Sequence, residues 1–405
     1  MINQVIKHEI IENIGIIKGT NPPVNALSFD VRKGLIDTLN LFLEDDNIKG
    51  IILCGDGRTF FAGADISEFG KPMKLPSLNE VIQTFENSNK PIVAALHGTP
   101  LGGGLELAMG CNYRIALSST TLGLPEVKLG IIPGAGGTQR LPRLAGIEKA
   151  LSMITSGTPI NAKDALESEI IDKVCEDALM ENAIGFIKSK LSLEKHPVVS
   201  KLQEKVSNIK NEVFENFSKK IAQKYRGRKS PFYAIDAIKA TTTLDFSEGL
   251  DKEKELFKVC HDSLESSSLI HMFFSERKAL KIPDIPKEIK ILPINSAAVI
   301  GCGTMGGGIA MNFANVGIPV TVIENNQEAL AKGLEVIEKN YSSTVKKGRM
   351  SENDFKSKMS LISGSTNLES ISDADIVIEA VFEEMTLKKE MFAKIDKLEI
   401  GRAHV

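Results

Sequence analysis

Two glutamates and two glycine-rich turns carry the first chemistry that this sequence offers. Glu106 stands in HGTPLGGGLELAMG (97–110), where three glycines run into a helical LELAMG, and Glu126 stands in LPEVKLGIIPGAGG (124–137), followed by TQRLPR (138–143). A pair of carboxylates on neighbouring elements can divide acid and base duties once their surroundings shift the two pKa values. A third stretch, FFAGADISEFG (60–70), sets Gly63 ahead of Ala64 and Asp65, where a helix is expected to start. Glycines at helix starts let backbone N–H groups approach a ligand closely, and the helix dipole favours developing negative charge there. Two such loops could aim two N–H donors at one oxygen, the arrangement that stabilises an oxyanion or a thioester enolate. One donor of this kind is worth roughly 10²–10³ in rate. GAGG (134–137) lacks a following phosphate-binding lysine, so it is not read as a nucleotide loop.

A second constellation lies near the other end. In AAVIGCGTMGGGIA (297–310), Gly301, Gly303 and Gly306 follow an apolar strand, and Thr304 and Met305 open a helix. A further strand, PVTVIE, ends at Glu324, about 20 residues on, where a ribose-binding acid is expected. In that context the glycines predict a dinucleotide site. The acid favours NAD over NADP, because it would repel a 2′-phosphate. The stretch 373–398, DADIVIEAVFEEMTLKKEMFAKIDKL, reads as another strand, a short turn and an amphipathic helix.

The elements that must position these residues are legible in outline. The N-terminus, MINQVIKHEIIENIGIIKG, alternates apolar and polar residues and reads as a first strand pair, not as a targeting peptide. GIILC (50–54) and PIVAALHG (91–98) fit buried strands, and VRKGLIDTLNLFLEDD (31–46) has helical periodicity with Asp30 as its expected cap. Residues 1–185 therefore read as an α/β domain. Glycine nearly disappears from 186 onward, and lysine- and glutamate-rich helical patterns such as 198–225 take over, giving a helical linker segment over 186–292. KIPDIPKEIKILP (281–293) is proline-punctuated, and a second α/β unit spans 293–398.

Composition narrows the class. The 405 residues carry a net charge of −3, with no clustered basic excess of the kind nucleic-acid binding needs. Five cysteines and six histidines are scattered without paired or ligand spacing, which argues for reduced thiols in a reducing compartment and against a metal site. No apolar run approaches the roughly 20 residues that span a bilayer. The expectation is a soluble intracellular protein.

Taken together and in this order, FFAGADISEF, GGGLELAM and PEVKLGIIPGAGGTQRLPR resemble the signature segments of the enoyl-CoA hydratase (crotonase) superfamily. The resemblance implies a crotonase-type ββα spiral domain acting on an acyl-CoA thioester. It also implies an oxyanion hole made by the backbone N–H groups of Ala64 and Gly103. Glu106 and Glu126 would hold a water between them, Glu106 activating it for attack at the β-carbon and Glu126 delivering a proton to the α-carbon. Relatives that only shift a double bond resemble this site with one acid/base glutamate, so the pair favours hydration. A Δ3-Δ2-enoyl-CoA isomerase and a non-catalytic CoA- and NAD-binding fragment stay open as alternatives. Some relatives carry a lysine near the CoA nucleotide after the GADI segment, where Ser67 stands here, so the hold on CoA's phosphates is left open.

The second constellation resembles the cofactor half of L-3-hydroxyacyl-CoA dehydrogenase, a partial Rossmann domain. This implies NAD held at Gly301, Gly303, Thr304, Met305, Gly306 and Glu324, with Glu379 and Lys388, or its neighbour Lys389, close by. LIHMFFSERKALKIPDIP (269–286) resembles the segment joining the two activities in multifunctional enzymes of fatty-acid β-oxidation. The dehydrogenase family's histidine–glutamate pair and helical substrate domain do not follow. His404 is the only later histidine, and the sheet is expected to halt before the strand that would follow the 373–398 stretch. EIGRAHV (399–405) reads as a non-native tail on a C-terminally truncated chain, which would then hydrate but not oxidise. The compartment implied is the cytoplasm in a bacterium and the peroxisome in a eukaryote. Association with a thiolase or with a second copy is left open.

Overall fold

The computed structural model describes residues 5–68, 70–72, 74–280, 282–283, 285–286 and 288–398, together with the backbone of 403–404. The chain divides into two compact units, Met1–Ile282 and Pro283–Val405.

In the first unit, β1 (Ile6–Ile11) and β2 (Ile14–Gly19) pair antiparallel, as the alternating N-terminus predicts. The sheet then continues in parallel through β3 (Gly50–Gly55), β4 (Ile92–Leu96), β5 (Tyr113–Leu117) and β8 (Lys173–Cys175), in the order β1-β2-β3-β4-β5-β8. β3 and β4 are apolar on both faces because helices cover both sides of a parallel sheet. A two-stranded ribbon, β6 (Thr121–Leu122) with β7 (Ile160–Asn161), stands apart.

Helix α1 (Phe29–Glu44) buries Val31, Leu35, Leu39 and Phe42 at helical spacing. Its N-cap is Ser28, not Asp30, which falls in the first turn. The Phe29 N–H is instead satisfied from a distance, by Glu68 Oε1 at 2.8 Å. The helix expected at Asp65 is a single 3-10 turn, Ile66–Glu68, tied to α1 by the Arg32–Glu68 ion pair at 2.9 Å. There follow α2 (Leu78–Glu86), α3 (Gly103–Met109), α4 (Gly137–Ala145), α5 (Ile147–Ser156), α6 (Ala162–Glu167) and α7 (Leu179–Lys190).

The segment 186–292 is not a linker between compact parts. Its helices α8 (Asn211–Ala222), α9 (Ser230–Ala240), α10 (Phe246–His261) and α11 (Leu264–Ala279) belong to the first unit. Buried Ala234, Ile235, Ala237 and Ile238 of α9 join the same apolar core as α5. The pattern at 198–225 is helical only over α8; Val199–Lys201 and Glu204–Val206 form two 3-10 turns. Burial of Val199 and Val206, with Ser200 N–H donating to Glu86 Oε1 at 3.0 Å, outweighs local helix preference there.

The second unit is a five-stranded parallel sheet. Its strands are β9 (Ala297–Ile300), β10 (Val320–Ile323), β11 (Ile362–Ser365), β12 (Ile376–Glu379) and β13 (Ala403–His404), ordered β11-β10-β9-β12-β13. Sheet growth outward in both directions from the first strand is the doubly wound pattern, with ligands at the carboxyl ends of the strands. Helices α12 (Thr304–Asn315), α13 (Gln327–Lys346), α14 (Glu352–Ser360) and α15 (Met385–Leu398) complete it. The expected halt after β12 is corrected: the backbone of Ala403–His404 adds a parallel edge strand, too short to show periodicity. The rest of the expected tail, 399–402 and 405, lies outside the described residues.

Candidate functional site

The loop carrying Ala64 is pinned from beneath. Asn25, buried, sends its amide nitrogen to the carbonyls of Asp56, Thr59 and Phe60 at 2.8–2.9 Å. Ala62 N–H donates to the Val24 carbonyl at 3.1 Å and Leu27 N–H to the Gly63 carbonyl at 2.9 Å. The loop before α3 is held in turn by Gly102 N–H on the Gly123 carbonyl at 2.9 Å. These two loops touch: a Cβ on Gly103 would lie 3.2 Å from the Ala64 nitrogen. Among the described residues, no acceptor pairs with the N–H of Ala64 or of Gly103. Two backbone donors thus stand side by side without partners, so they are free to receive an oxygen.

Glu106 sits in the first turn of α3 and is 3% exposed. Its Oε1 accepts two N–H groups, from Ala135 and Gly137, each at 2.8 Å. Burial raises its pKa, while those two donors and Arg140 pull the other way. Glu126 opens a 3-10 turn (Glu126–Leu129), and its Oε1 lies beside Gly102, where a Cβ would come within 2.8 Å. Glu126 Oε2 is buried without a hydrogen-bond partner. Burial first, then the charges of Glu106 and Glu253, hold the Glu126 pKa well above the ordinary carboxylate value, against its own backbone N–H. The two carboxyls share a site but not an environment. One is braced as an anion, and the other is pressed to keep its proton.

The GAGG segment is an anion-binding loop after all, and its anions are the protein's own. Alternate N–H groups go to Glu106 (Ala135, Gly137) and to Glu253 of α10 (Gly136 at 2.6 Å, Thr138 at 2.9 Å), with Thr138 Oγ1 at 2.5 Å from Glu253 Oε2. Arg140, one turn into α4, pairs with Glu86 of α2 at 2.6 Å, both side chains buried. Glu253, Arg140–Glu86 and Asn25 escape a reading of the sequence alone. The signal for Glu253 is a carboxylate on the buried stripe Gly249, Glu253, Leu256, Cys260 of α10.

In the second unit the expected strand, loop, helix and acid are in place. The Gly301 N–H donates to the Ile323 carbonyl at 2.8 Å, and Glu324 Oε1 accepts the Cys302 N–H at 2.7 Å. The N–H groups of Gly303, Thr304, Met305 and Gly306 have no acceptor among the described residues. A Cβ on Gly306 would lie 1.8 Å from the Gly301 carbonyl oxygen, so the helix can meet the loop only through glycine. Beside them opens a pocket of about 200 Å³ whose lining includes Ile300, Gly301, Glu324, Leu368 and Val381. Free donors at a helix start, an acid at the next strand's end and a slot of mixed polar and apolar lining fit a dinucleotide. Glu379, its side chain buried, accepts the Val381 N–H at 2.6 Å and pairs with Lys388 at 3.2 Å. Lys389, its neighbour, is exposed. The five cysteines are free and buried, and burial pushes the thiols of Cys54, Cys111 and Cys260 up to about 12. None is poised as a nucleophile.

Fold and site together are of the α/β class that sets a pair of carboxyl groups beside unpaired backbone donors, with a doubly wound dinucleotide unit following. Residues 9–230 match the enoyl-CoA hydratase/isomerase family, and residues 296–403 match the 3-hydroxyacyl-CoA dehydrogenase, NAD binding domain. The chain belongs to the enoyl-CoA hydratase/isomerase family. The peroxisomal bifunctional enzyme of Danio rerio is 38% identical over 401 residues, covering 97% of this chain and 55% of that one. The glyoxysomal fatty acid beta-oxidation multifunctional protein MFP-a of Cucumis sativus is 36% identical over 401 residues, covering 95% and 55%. The chain spans about half the length of these curated relatives. An enoyl-CoA hydratase/isomerase from Pseudoalteromonas atlantica shares the fold at 21% identity and a TM-score of 0.52, over 67% of this chain and 98% of its own.

Proposed function

We propose that the first unit hydrates a trans-2-enoyl-CoA to the 3-hydroxyacyl-CoA, a step of fatty-acid β-oxidation. The observation that carries the reading is the unequal setting of Glu106 and Glu126. Glu106, braced by two N–H donors, gives up its proton first and serves as base. Glu126, buried beside negative charge, keeps its proton and serves as acid. The thioester carbonyl oxygen accepts the N–H groups of Ala64 and Gly103, which stabilises the enolate as it forms. Glu106 takes a proton from water as the water oxygen attacks the β-carbon, and Glu126 gives its proton to the α-carbon. Glu106 ends protonated and Glu126 ionised, so one proton must pass back between them before the next turnover.

The test is loss of the conjugated thioester absorbance on adding trans-2-enoyl-CoA to the full chain. Each of Glu106→Gln and Glu126→Gln should lower kcat by roughly 10²–10⁴. Turnover surviving the double substitution would sink the hydratase reading. Product analysis separates it from isomerisation, since only hydration yields a 3-hydroxyacyl product.

For the second unit the reading is NAD, with its pyrophosphate on the N–H groups of Gly303, Thr304, Met305 and Gly306. Its ribose would lie at Glu324, with Glu379 and Lys388 near the far end. Bound there, NAD supplies a hydride acceptor for a 3-hydroxyl group. Relatives named peroxisomal and glyoxysomal support a peroxisomal setting in a eukaryotic source.

A further inference from the structure

We infer that Glu253 is a positioning residue for the acid/base pair: from α10 it clamps the 135–138 loop whose other N–H groups aim Glu106. The inference rests on the hydratase reading above. Glu253 lies beyond the residues that match the hydratase/isomerase family, so the helical segment after 230 completes the site rather than merely following it.

The geometry is an interleaving. Gly136 and Thr138 present their N–H groups to Glu253 on one side of the loop, while Ala135 and Gly137 present theirs to Glu106 on the other. Gly136 sits at φ +92°, a left-handed conformation that glycine adopts without steric cost. Glu253 is 1% exposed and can accept through both oxygens. Removing it orphans two buried N–H groups, and the loop must move to satisfy them. Glu106 moves with it. α10 is pressed against α4 at this place, since a Cβ on Gly249 would lie 2.2 Å from Gln139 Oε1.

The charged groups facing Glu253 are Glu106 on α3 and Glu126 in its 3-10 turn; Arg140 on α4 acts on Glu106 and is itself paired with Glu86 on α2. Burial and the Glu106 charge push the Glu253 carboxyl up to about 8, and its ionised form raises Glu126 further. Ionised Glu253 therefore also adds to what holds the proton on Glu126.

The experiment measures hydration of trans-2-enoyl-CoA by the full chain carrying Glu253→Ala, Glu253→Gln or Thr138→Val, across pH. Glu253→Ala should lower kcat at least tenfold with KM changed less than twofold. Glu253→Gln keeps one acceptor and should lose less; Thr138→Val, which removes the hydroxyl's contacts to Glu253 and to Gln139 but leaves both N–H groups on Glu253, should lose least. In Glu253→Gln the basic limb of kcat should also move to lower pH, which loss of stability alone would not do. Wild-type turnover with an unchanged kcat and basic limb in Glu253→Gln and Thr138→Val overturns the inference alone. Absence of turnover in the wild type overturns the hydratase reading and the inference with it.

Discussion

Gly137 donates its N–H to Glu106 Oε1 at 2.8 Å, and a methyl group on its Cα would lie 2.7 Å from that same oxygen. The glycine both holds the carboxylate and leaves it room. Its backbone lies at the start of α4, so alanine there is acceptable to the helix and unacceptable to Glu106. Gly137→Ala should therefore push the carboxylate off its two donors while the protein stays folded. The expected loss in kcat is roughly 10²-fold, the lower end of what a displaced general base costs. Steady-state kinetics with a thermal melt beside it checks this, and an unchanged kcat would remove Glu106 from the chemistry.

The pH profile follows from the two environments. On the proposed mechanism, activity needs Glu106 ionised and Glu126 protonated. Burial raises both pKa values, and Glu126 the more, because negative neighbours replace the N–H donors that Glu106 enjoys. The acid limb of kcat/KM should accordingly lie above the ordinary carboxylate range of about 4, and the basic limb, set by Glu126, higher still. An acid limb at about pH 4 would mean that the base is not a buried carboxylate.

Local chemistry was readable and long-range pairing was not. The strands at 50–54 and 92–96, the helix after GGG and the loop at Gly301 each follow from a handful of adjacent residues, because strand apolarity and turn glycines act within that span. The α1 cap is Ser28 and not Asp30, and the Phe29 N–H is satisfied by Glu68 from another element. Gly136 and Glu253 are 117 residues apart, and although the stripe Gly249, Glu253, Leu256, Cys260 puts that carboxylate on the inward face, it does not name the loop that the carboxylate meets. GAGG lacks the lysine that marks a nucleotide loop. Its N–H groups bind anions all the same, and the protein supplies both from its own helices.

Stability should carry the mark of Glu253. Its folded pKa of about 8 stands above the ordinary 4.5, so the folded chain keeps a proton that the unfolded chain releases. The resulting stability is full below about pH 4.5 and is lost as pH rises towards about 8. Glu106 and Glu126, also raised, act with the same sign. Urea unfolding of the full chain should show stability of the first unit falling from about pH 5 to about pH 8, with a shallower slope in Glu253→Gln. Parallel slopes in the two proteins would show that Glu253 titrates normally.

The dinucleotide loop can be broken without touching the glutamates. A Cβ on Gly306 would stand 1.8 Å from the Gly301 carbonyl oxygen, far inside contact distance, and backbone cannot step aside as a flexible side chain does. Alanine at this position must part α12 from the turn after β9 and swing the N–H groups of Gly303, Thr304 and Met305 away from one another. Those donors act on an anion together, so a small displacement weakens all of them. NAD affinity of Gly306→Ala, followed by fluorescence titration or calorimetry, should fall at least tenfold, about 1.4 kcal/mol. Hydration of enoyl-CoA by the same protein should be unchanged, because Glu106, Glu126, Ala64 and Gly103 all lie in the first unit. Equal NAD affinity in variant and wild type would place the cofactor somewhere other than this loop.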